Sequence, residues 1–314
     1  GVTAGTGAIL LSGRRGKVNN GLSVNVRANT GWAVAKSYPE YLGSAEYMYL
    51  YNEARANDGL SALYSPETIA KYASGANPYR YPDVEFYSSE FIKKSYNRTD
   101  VTAEIEGGNE RAKFYANVSY YRQGDFLKIG EAANNYVDRF NVRGNVDVKL
   151  NNYINAYVNA NATYYNSKSA NGGSYWEAAA SFRPNRVAPL IPLSYIDPNS
   201  AQATNLIGTT KNYINGCFLG GAQTDLTNIF ADYYFAGKNT WTSRQFQFDA
   251  GVDVDLSSVT KGLSFHTMVA VDYRTAYTTS FNDTYATFTP TWSEYNGKDV
   301  IVALNTFDTV DKHS

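Results

Sequence analysis

The sequence has too little cysteine and histidine for several kinds of functional site. Cys217 is the single cysteine, so neither an intramolecular disulfide nor a multi-cysteine metal site can form. The two histidines, His266 and His313, lie far apart in the chain. Charged residues make up only 18% of the chain and the net charge is −1, without the basic excess of nucleic-acid-binding proteins. We therefore expect no nucleic-acid partner.

Long apolar runs are missing as well. A transmembrane helix needs about 20 consecutive apolar residues. The longest run here, 187–193, is short and contains Pro189 and Pro192. If the chain crosses a membrane, it must therefore do so with β-strands. No signal peptide is recognisable, and Gly1 stands within what looks like a structured region, so we expect a processed or partial chain.

The pattern that dominates the sequence is a strict alternation of apolar and polar residues. It runs through 112–120, 140–150, 154–164, 246–256 and 263–273, with shorter examples at 22–28 and 101–105. In the second of these segments, the apolar positions are Phe140, Val142, Gly144, Val146, Val148 and Leu150. A period of two places apolar and polar side chains on opposite faces of a strand. The pair Asn151-Asn152 between two such segments predicts a short hairpin turn.

The length of these segments favours membrane-spanning strands. Strands of soluble proteins average about 5–6 residues, whereas a tilted membrane strand needs about 9–11. Tyr120, Tyr153, Tyr164 and Tyr273 stand near strand ends, as in an interfacial girdle. We predict an all-β fold, a transmembrane antiparallel β-barrel with lipid outside and a wet lumen. The alternative is a soluble or surface β-sandwich that binds glycans or mediates adhesion, with the apolar faces buried between two sheets.

Two long insertions separate the predicted strands, at about 31–98 and 167–240. Apolar residues at helical spacing predict a helix over 40–56, ended by Asp58-Gly59. Ser65-Pro66 predicts the start of a second helix, and a third is predicted over 175–182. Alternation of short turns with long loops is typical of outer-membrane barrels.

No catalytic constellation is recognisable, and we expect no enzyme activity, cofactor or metal. His266 is predicted on a polar strand face, with Asp272 further along it. The row Asp249, Asp253 and Asp255 is interpreted as a solvated lumen face. Tyrosines and Trp176, Trp241 and Trp292, in or near the long loops, suit carbohydrate or peptide ligands and equally suit interfacial anchoring. The residues that bind substrate stay unassigned.

Short motifs occur in a consistent order along nearly the whole chain. They are GTGAILLSGRRGK at 5–17, PEYL at 39–42, YNEA at 51–54, YPDVEFY at 81–87, EGGNE at 106–110, YYRQG at 120–124, RFNVRGN at 139–145 and TKGLSF at 260–265. In this order they resemble the SusC/RagA family of TonB-dependent transporters of Bacteroidetes. In the first motif, Thr6 stands where the family usually has asparagine.

The resemblance implies a section of a barrel of about 22 strands with a plugged lumen. Residues 1–18 would end the plug domain, and 19–314 would form the N-terminal part of the barrel. The family's function is import of oligosaccharides or peptides across the bacterial outer membrane, driven by the TonB complex. Its partners would be a SusD-like surface lipoprotein acting as a lid, the substrate and outer-membrane lipid. The two long loops are the predicted contacts with substrate or lid.

Overall fold

The computed structural model describes residues 13–221 and 229–306. Of the segment predicted to end a plug domain, residues 1–12 lie outside the described residues. The strands are β1 (Asn19–Val34), β2 (Ser95–Gly108), β3 (Ala112–Gln123), β4 (Tyr136–Lys149), β5 (Ile154–Ala170), β6 (Leu190–Pro192), β7 (Cys217–Leu219), β8 (Gly237–Asp255), β9 (Ser264–Asn282), β10 (Phe288–Tyr295) and β11 (Lys298–Thr306). The α-helices are α1 (Ser44–Asn57), α2 (Pro66–Ser74), α3 (Tyr175–Ser181), α4 (Ala201–Ile207) and α5 (Ile229–Phe235).

Seven of these strands form one large antiparallel sheet, in the order β1-β2-β3-β4-β5-β8-β9. The prediction of an all-β fold with long antiparallel strands and short helices is confirmed. The strands are longer than the alternating segments predicted, and β8 and β9 reach 19 residues each. The difference arises because backbone pairing continues beyond the point where both faces of a strand become polar.

Short and long connections leave opposite ends of the sheet. Residues 109–111, 150–153 and 256–263 connect strands at one end, and 35–94, 124–135 and 171–236 connect them at the other. The turn predicted at Asn151 spans four residues, and the Asn151 side chain accepts hydrogen bonds from the amides of Tyr153 (2.8 Å) and Ile154 (2.9 Å). The two longest loops are a few residues shorter at each end than predicted, because the flanking strands extend into them.

The helices lie in the long loops. The helix α1 begins at Ser44 rather than at 40 and ends at Asn57, where Gly59 has a φ of +73°. At the start of α2, the Ser65 hydroxyl accepts a hydrogen bond from the Thr68 amide at 3.1 Å, as the sequence predicts for an N-cap. Among the described residues, no helix combines the length and the apolar character needed to span a membrane.

We use the name loop lobe for the described residues of 35–94, 124–135, 171–236 and 283–306. Two hydrophobic clusters hold it together. The first contains Phe86, Phe91, Ile92, Leu127, Ile129, Ala132, Ala170, Tyr175, Ala179 and Tyr233, so it joins three loops and one strand end. The second contains Ala188, Ile191, Ala203, Ile207, Phe218, Ala286, Phe288, Ile301 and Leu304. The long loops therefore form a packed layer rather than separate excursions.

Candidate functional site: a polar wall behind an exposed apolar band

One face of the large sheet is apolar and exposed. Strand pairing aligns one row of this face across all seven strands, through Val26, Ala103, Val118, Val142, Ala162, Phe246 and Tyr273. Val26 is 64% exposed, Phe246 43% and Tyr273 59%. Neighbouring rows repeat the arrangement, for example with Val146, Val158 and Val269. We call this continuous surface the apolar band.

The height of the apolar band matches that of a membrane. On β4, and onto the residue that follows it, the band runs from Phe140 to Leu150, which is about 33 Å at ~3.3 Å per residue. A strand tilt of about 40° reduces this to a height of about 25 Å, as in outer-membrane barrels. Tyr120 and Tyr164 flank Phe140 in its row, and the exposed Tyr153 stands at the opposite end, where an aromatic girdle is predicted.

We call the end of the sheet with the long connections the upper end, and the end with the short connections the lower end. Between the apolar band and the upper end, the same face of the sheet is polar. Arg122 Nη1 lies 3.4 Å from Asp138 Oδ2, and the Tyr120 hydroxyl donates to Asp138 Oδ1 at 3.1 Å. The Arg122 guanidinium also lies 4.9 Å from the centre of the Tyr136 ring. These groups mark the upper limit of the apolar band.

Exposure of the apolar band weighs against the predicted alternative. A β-sandwich buries the apolar face of one sheet against another. The two further sheets in the described part of the chain, β6-β7 and β10-β11, are two-stranded and belong to the loop lobe. They leave the apolar band uncovered.

The opposite face of the sheet is polar, and we call it the polar wall. One row across it consists of Asn25, Glu104, Asn117, Arg143, Asn161, Gln247 and Asp272. Side-chain amides connect adjacent strands along it. Asn141 donates to Asn161 at 2.8 Å, and Asn161 donates to Gln247 at 3.0 Å. Such a surface suits water and polar solutes.

The segment 13–17 lies against the lower part of the polar wall. Arg14 places its Nη1 3.0 Å from Glu104 and its Nη2 3.0 Å from Glu106. Arg15 pairs with Asp147, and its Nη2 lies 3.2 Å from Asn159 Oδ1. The sequence does not predict these contacts. Glu104 and Glu106 are two residues apart and therefore share one face of β2. This spacing is the sequence signal that could have suggested an arginine partner for them.

Gly16 permits this close approach. A Cβ on Gly16 would lie 2.5 Å from the backbone nitrogen and oxygen of Phe114, much closer than side chains tolerate. The side-chain amide of Asn145 donates a hydrogen bond from Nδ2 to the backbone oxygen of Arg14 at 2.9 Å. Backbone and side-chain contacts together therefore fix the segment on the wall.

The upper part of the polar wall carries a row of aromatic and basic residues. The guanidinium carbons of Arg98 and Arg139 lie 5.2 and 5.4 Å from the centre of the Tyr121 ring, which stands between them in the sheet. Arg139 is paired with Tyr165 on β5, and Tyr165 meets Trp241 edge to face at 4.8 Å. The sequence placed Trp241 near a long loop but did not bring these residues together.

His266 and the acidic row lie on the lower polar wall, as predicted. The partner of His266 is Asp253, at 2.6 Å between Nδ1 and Oδ1, and not Asp272. The His266 ring stacks on that of Tyr157 at 6.2 Å. Asp249 accepts a hydrogen bond from Asn159 at 2.6 Å. Within the described part of the chain, no group of three or more His, Cys, Asp or Glu side chains could hold a metal ion.

Two buried tyrosines of the loop lobe have structural hydrogen-bond partners. The Tyr175 hydroxyl donates to the backbone oxygen of Phe86 at 2.6 Å, and burial raises the pKa of Tyr175 above its usual value. The Tyr233 hydroxyl donates to Gly173 at 2.6 Å, and burial raises the pKa of Tyr233 to about 12. Two of the predicted ligand aromatics also pack against neighbours here: Trp176 stacks on Tyr38 at 6.3 Å, and Trp292 meets Tyr195 at 5.3 Å.

Comparison with known proteins gives similarity at the level of the fold. No protein-family model matches the chain, and no curated protein sequence matches it. Three similar solved structures are described as the RagAB peptide importer in the closed-closed state, the RagAB peptide transporter, and the RagAB peptide importer in the open-open state. Their TM-scores are 0.57, 0.58 and 0.56, with identities of 14%, 14% and 15%. The matches cover 86% of this chain and 29–30% of theirs.

The chain thus spans about 30% of the length of the transporter chains it matches. At this identity the similarity shows a shared fold. The described residues have the fold of one section of a large transporter chain.

Proposed function

We propose that this chain is a section of a TonB-dependent outer-membrane transporter that imports oligosaccharides or peptides. The observation that carries the proposal is the apolar band, an exposed apolar surface across seven strands with a polar wall behind it. An exposed apolar surface of this extent is costly in water and stable against lipid. In the hydrocarbon layer, only helices and closed barrels satisfy the backbone hydrogen bonds. The proposed complete protein therefore continues the sheet to closure.

The polar wall then faces the lumen, and the segment 13–17 ends a plug domain within it. The end of that plug continues directly into β1, and the pairs of Arg14 with Glu104 and Glu106 add weak contacts with the barrel wall. A pull from TonB on more N-terminal residues would move the plug while this end stays in place. We propose residues 1–18 as the end of the plug and 19–314 as the first part of the barrel.

The loop lobe is the proposed contact surface for a SusD-like lipoprotein and for substrate. Its two hydrophobic clusters give the long loops a fixed shape, as docking of a lid requires. The peptide-importer description of the structures of similar fold supports peptides as one substrate class. No enzymatic step is part of the proposal.

Single-cysteine spin labels test the orientation of the sheet. The full-length protein, with Cys217 and any cysteine outside this chain replaced by serine, carries one label at Val118, Ser119, Asn141 or Val142 after reconstitution into phospholipid vesicles. Labels at the two valines should collide with the lipid-soluble relaxant oxygen. Labels at the two polar positions should collide with a water-soluble nickel chelate. Loss of this alternation, with valine labels shielded from both relaxants, would indicate a buried sheet face and contradict the membrane assignment.

Uptake experiments test the transport function separately. Deletion of the gene, or of TonB in the same cells, should abolish growth on the imported nutrient, since both act on one energised step. The control is growth on a small sugar that diffuses through porins, which should be unchanged. Normal uptake without TonB would contradict the mechanism even if the protein resides in the outer membrane.

A further inference from the structure

The upper polar wall holds two arginines without a carboxylate partner. Among the described residues, neither Arg98 nor Arg139 forms an ion pair, whereas Arg14, Arg15, Arg80 and Arg122 each have one. Both guanidinium groups belong to exposed residues on the same face of the sheet. Asp100 lies on the same face, opposite Tyr121, and forms an ion pair with neither arginine, so the three groups together leave a net positive charge on this part of the wall.

Tyr121 lies between the two guanidinium groups, within cation–π distance of both. Its ring lies 5.2 Å from the guanidinium carbon of Arg98 and 5.4 Å from that of Arg139. The Tyr121 hydroxyl in turn donates to Gln123, whose amide lies 3.4 Å from the Tyr96 hydroxyl. Stacking on a ring leaves the N–H donors of a guanidinium group free in its plane. Two such planar donors on one face of the sheet suit a ligand that accepts two hydrogen bonds from each.

A carboxylate is the ligand group that fits these donors. Its two oxygens match the fork of a guanidinium group, and the charge-assisted bonds are about twice as strong as neutral ones. Next along the wall, Tyr165 and Trp241 offer an edge-to-face aromatic pair. Aromatic faces bind the apolar side of a sugar ring or of a peptide side chain. The site thus combines anion recognition with an apolar contact.

We propose that Arg98, Tyr121 and Arg139 form a recognition site for carboxylate groups of the imported solute, with Tyr165 and Trp241 beside it. The proposal rests on the proposed function, because it assigns a ligand to the wall that faces the lumen. The carboxylate can belong to a uronic acid in an oligosaccharide or to an acidic peptide. Both sources present the same chemistry to the two arginines.

Calorimetric titration of the full-length protein in detergent tests this site with two matched pairs of probes. One pair is trigalacturonate and its methyl ester. The other is a hexapeptide of alternating glycine and glutamate and the version with glutamine. The charged member of at least one pair should bind at least tenfold more tightly than its neutral counterpart, with an affinity that falls as salt is added. Binding of trigalacturonate alone or of the acidic peptide alone identifies the source, and binding of both means that the carboxylate suffices.

Variants locate the binding. The double variant R98Q/R139Q should lose at least tenfold in affinity for the charged probe, and Tyr121→Leu should lose several-fold because the guanidinium groups lose their support. Arg122→Gln is the matched control, since Arg122 follows Tyr121 directly but lies on the outer face, paired with Asp138. It should bind within about twofold of the unaltered protein. Heat-dependent mobility on gels verifies that each variant is folded.

Two results would overturn the site. One is an unchanged affinity in the folded double variant, and the other is equal or undetectable binding of charged and neutral probes. Neither affects the spin-label and TonB experiments, so failure of the site and failure of the transport proposal can be told apart.

Discussion

The sheet and the loop lobe bury their apolar residues in opposite ways. In the sheet, Val26 and Val142 are exposed on the outer face, and the inner face is polar. In the loop lobe, Phe218 and Phe288 are 0% and 1% exposed and meet edge to face at 6.1 Å. The lobe therefore has the kind of core that the hydrophobic effect forms in water. The sheet has the pattern expected where lipid replaces water on one side, so in the proposed outer-membrane protein the boundary of the membrane would lie between the two regions.

The largest expected effect follows removal of a side chain from the lobe. Phe288→Ala should destabilise the lobe by about 3–5 kcal/mol, because it loses buried apolar area and leaves a cavity. Hydrogen–deuterium exchange should accelerate in 188–207 and 286–304, which share its cluster. Phe246→Ala is the control, since Phe246 is 43% exposed in the apolar band. An equal loss of stability in the two variants would contradict the distinction between a buried core in the lobe and an exposed apolar face on the sheet.

A charge in the apolar band should have the next largest effect. Val146→Arg should cost about 2–4 kcal/mol in a phospholipid bilayer, because Val146 lies near the middle of the band. Urea unfolding in vesicles measures this cost. Asn141→Arg, on the polar wall of the same strand, should cost much less because its side chain points to water. A reversed order of the two costs would mean that lumen and lipid faces are interchanged.

A smaller effect is expected on the pH dependence of the lobe's stability, and it involves Asp232. Asp232 accepts a hydrogen bond from Tyr285, and burial raises the pKa of Asp232 above 3.8. A raised pKa favours the neutral carboxyl in the folded state. Its contribution to stability is therefore complete below pH 3.8 and is lost as pH rises through the folded pKa. Asp232→Asn should be more stable than the unaltered lobe at neutral pH and should lack this pH dependence, as thermal unfolding would reveal. An unchanged pH profile in the variant would contradict the assignment.

The smallest effect is expected for the contacts of segment 13–17. The Arg14 side chain is 47% exposed, so water screens its pair with Glu106 and the pair should contribute little to stability. A double-mutant cycle of Arg14→Ala and Glu106→Gln measures this coupling, and ~1 M salt should weaken it. A large coupling that salt leaves unchanged would show that the lower wall behaves as a dry interior rather than a wet lumen.

How much the sequence predicts differs between the two regions. The faces of β4 and β5 follow from alternation alone, because each strand's period is fixed by backbone geometry. The clusters of the lobe cannot be predicted in this way, because they combine residues that are distant in the sequence, such as Ala203 and Leu304, without any period. The sequence analysis does not predict the β10-β11 hairpin, although Asn296-Gly297 is a strong signal for a hairpin turn. In the structure these two residues have φ angles of 51° and 72°. The pairing of Arg14 with Glu104 spans 90 positions and required the fold.

The unequal connections also set an order of assembly. Strands β2 and β3 close across only residues 109–111, whereas β5 and β8 must meet across 171–236. Closing the longer gap costs about 3 kcal/mol more in chain entropy, from ~0.6 kcal/mol per doubling of length. The hairpins β2-β3, β4-β5 and β8-β9 should therefore form first, as preassembled units. The hydrophobic clusters of the lobe contain residues of the long loops that connect these hairpins. Packing of these clusters would then bring each hairpin beside the next.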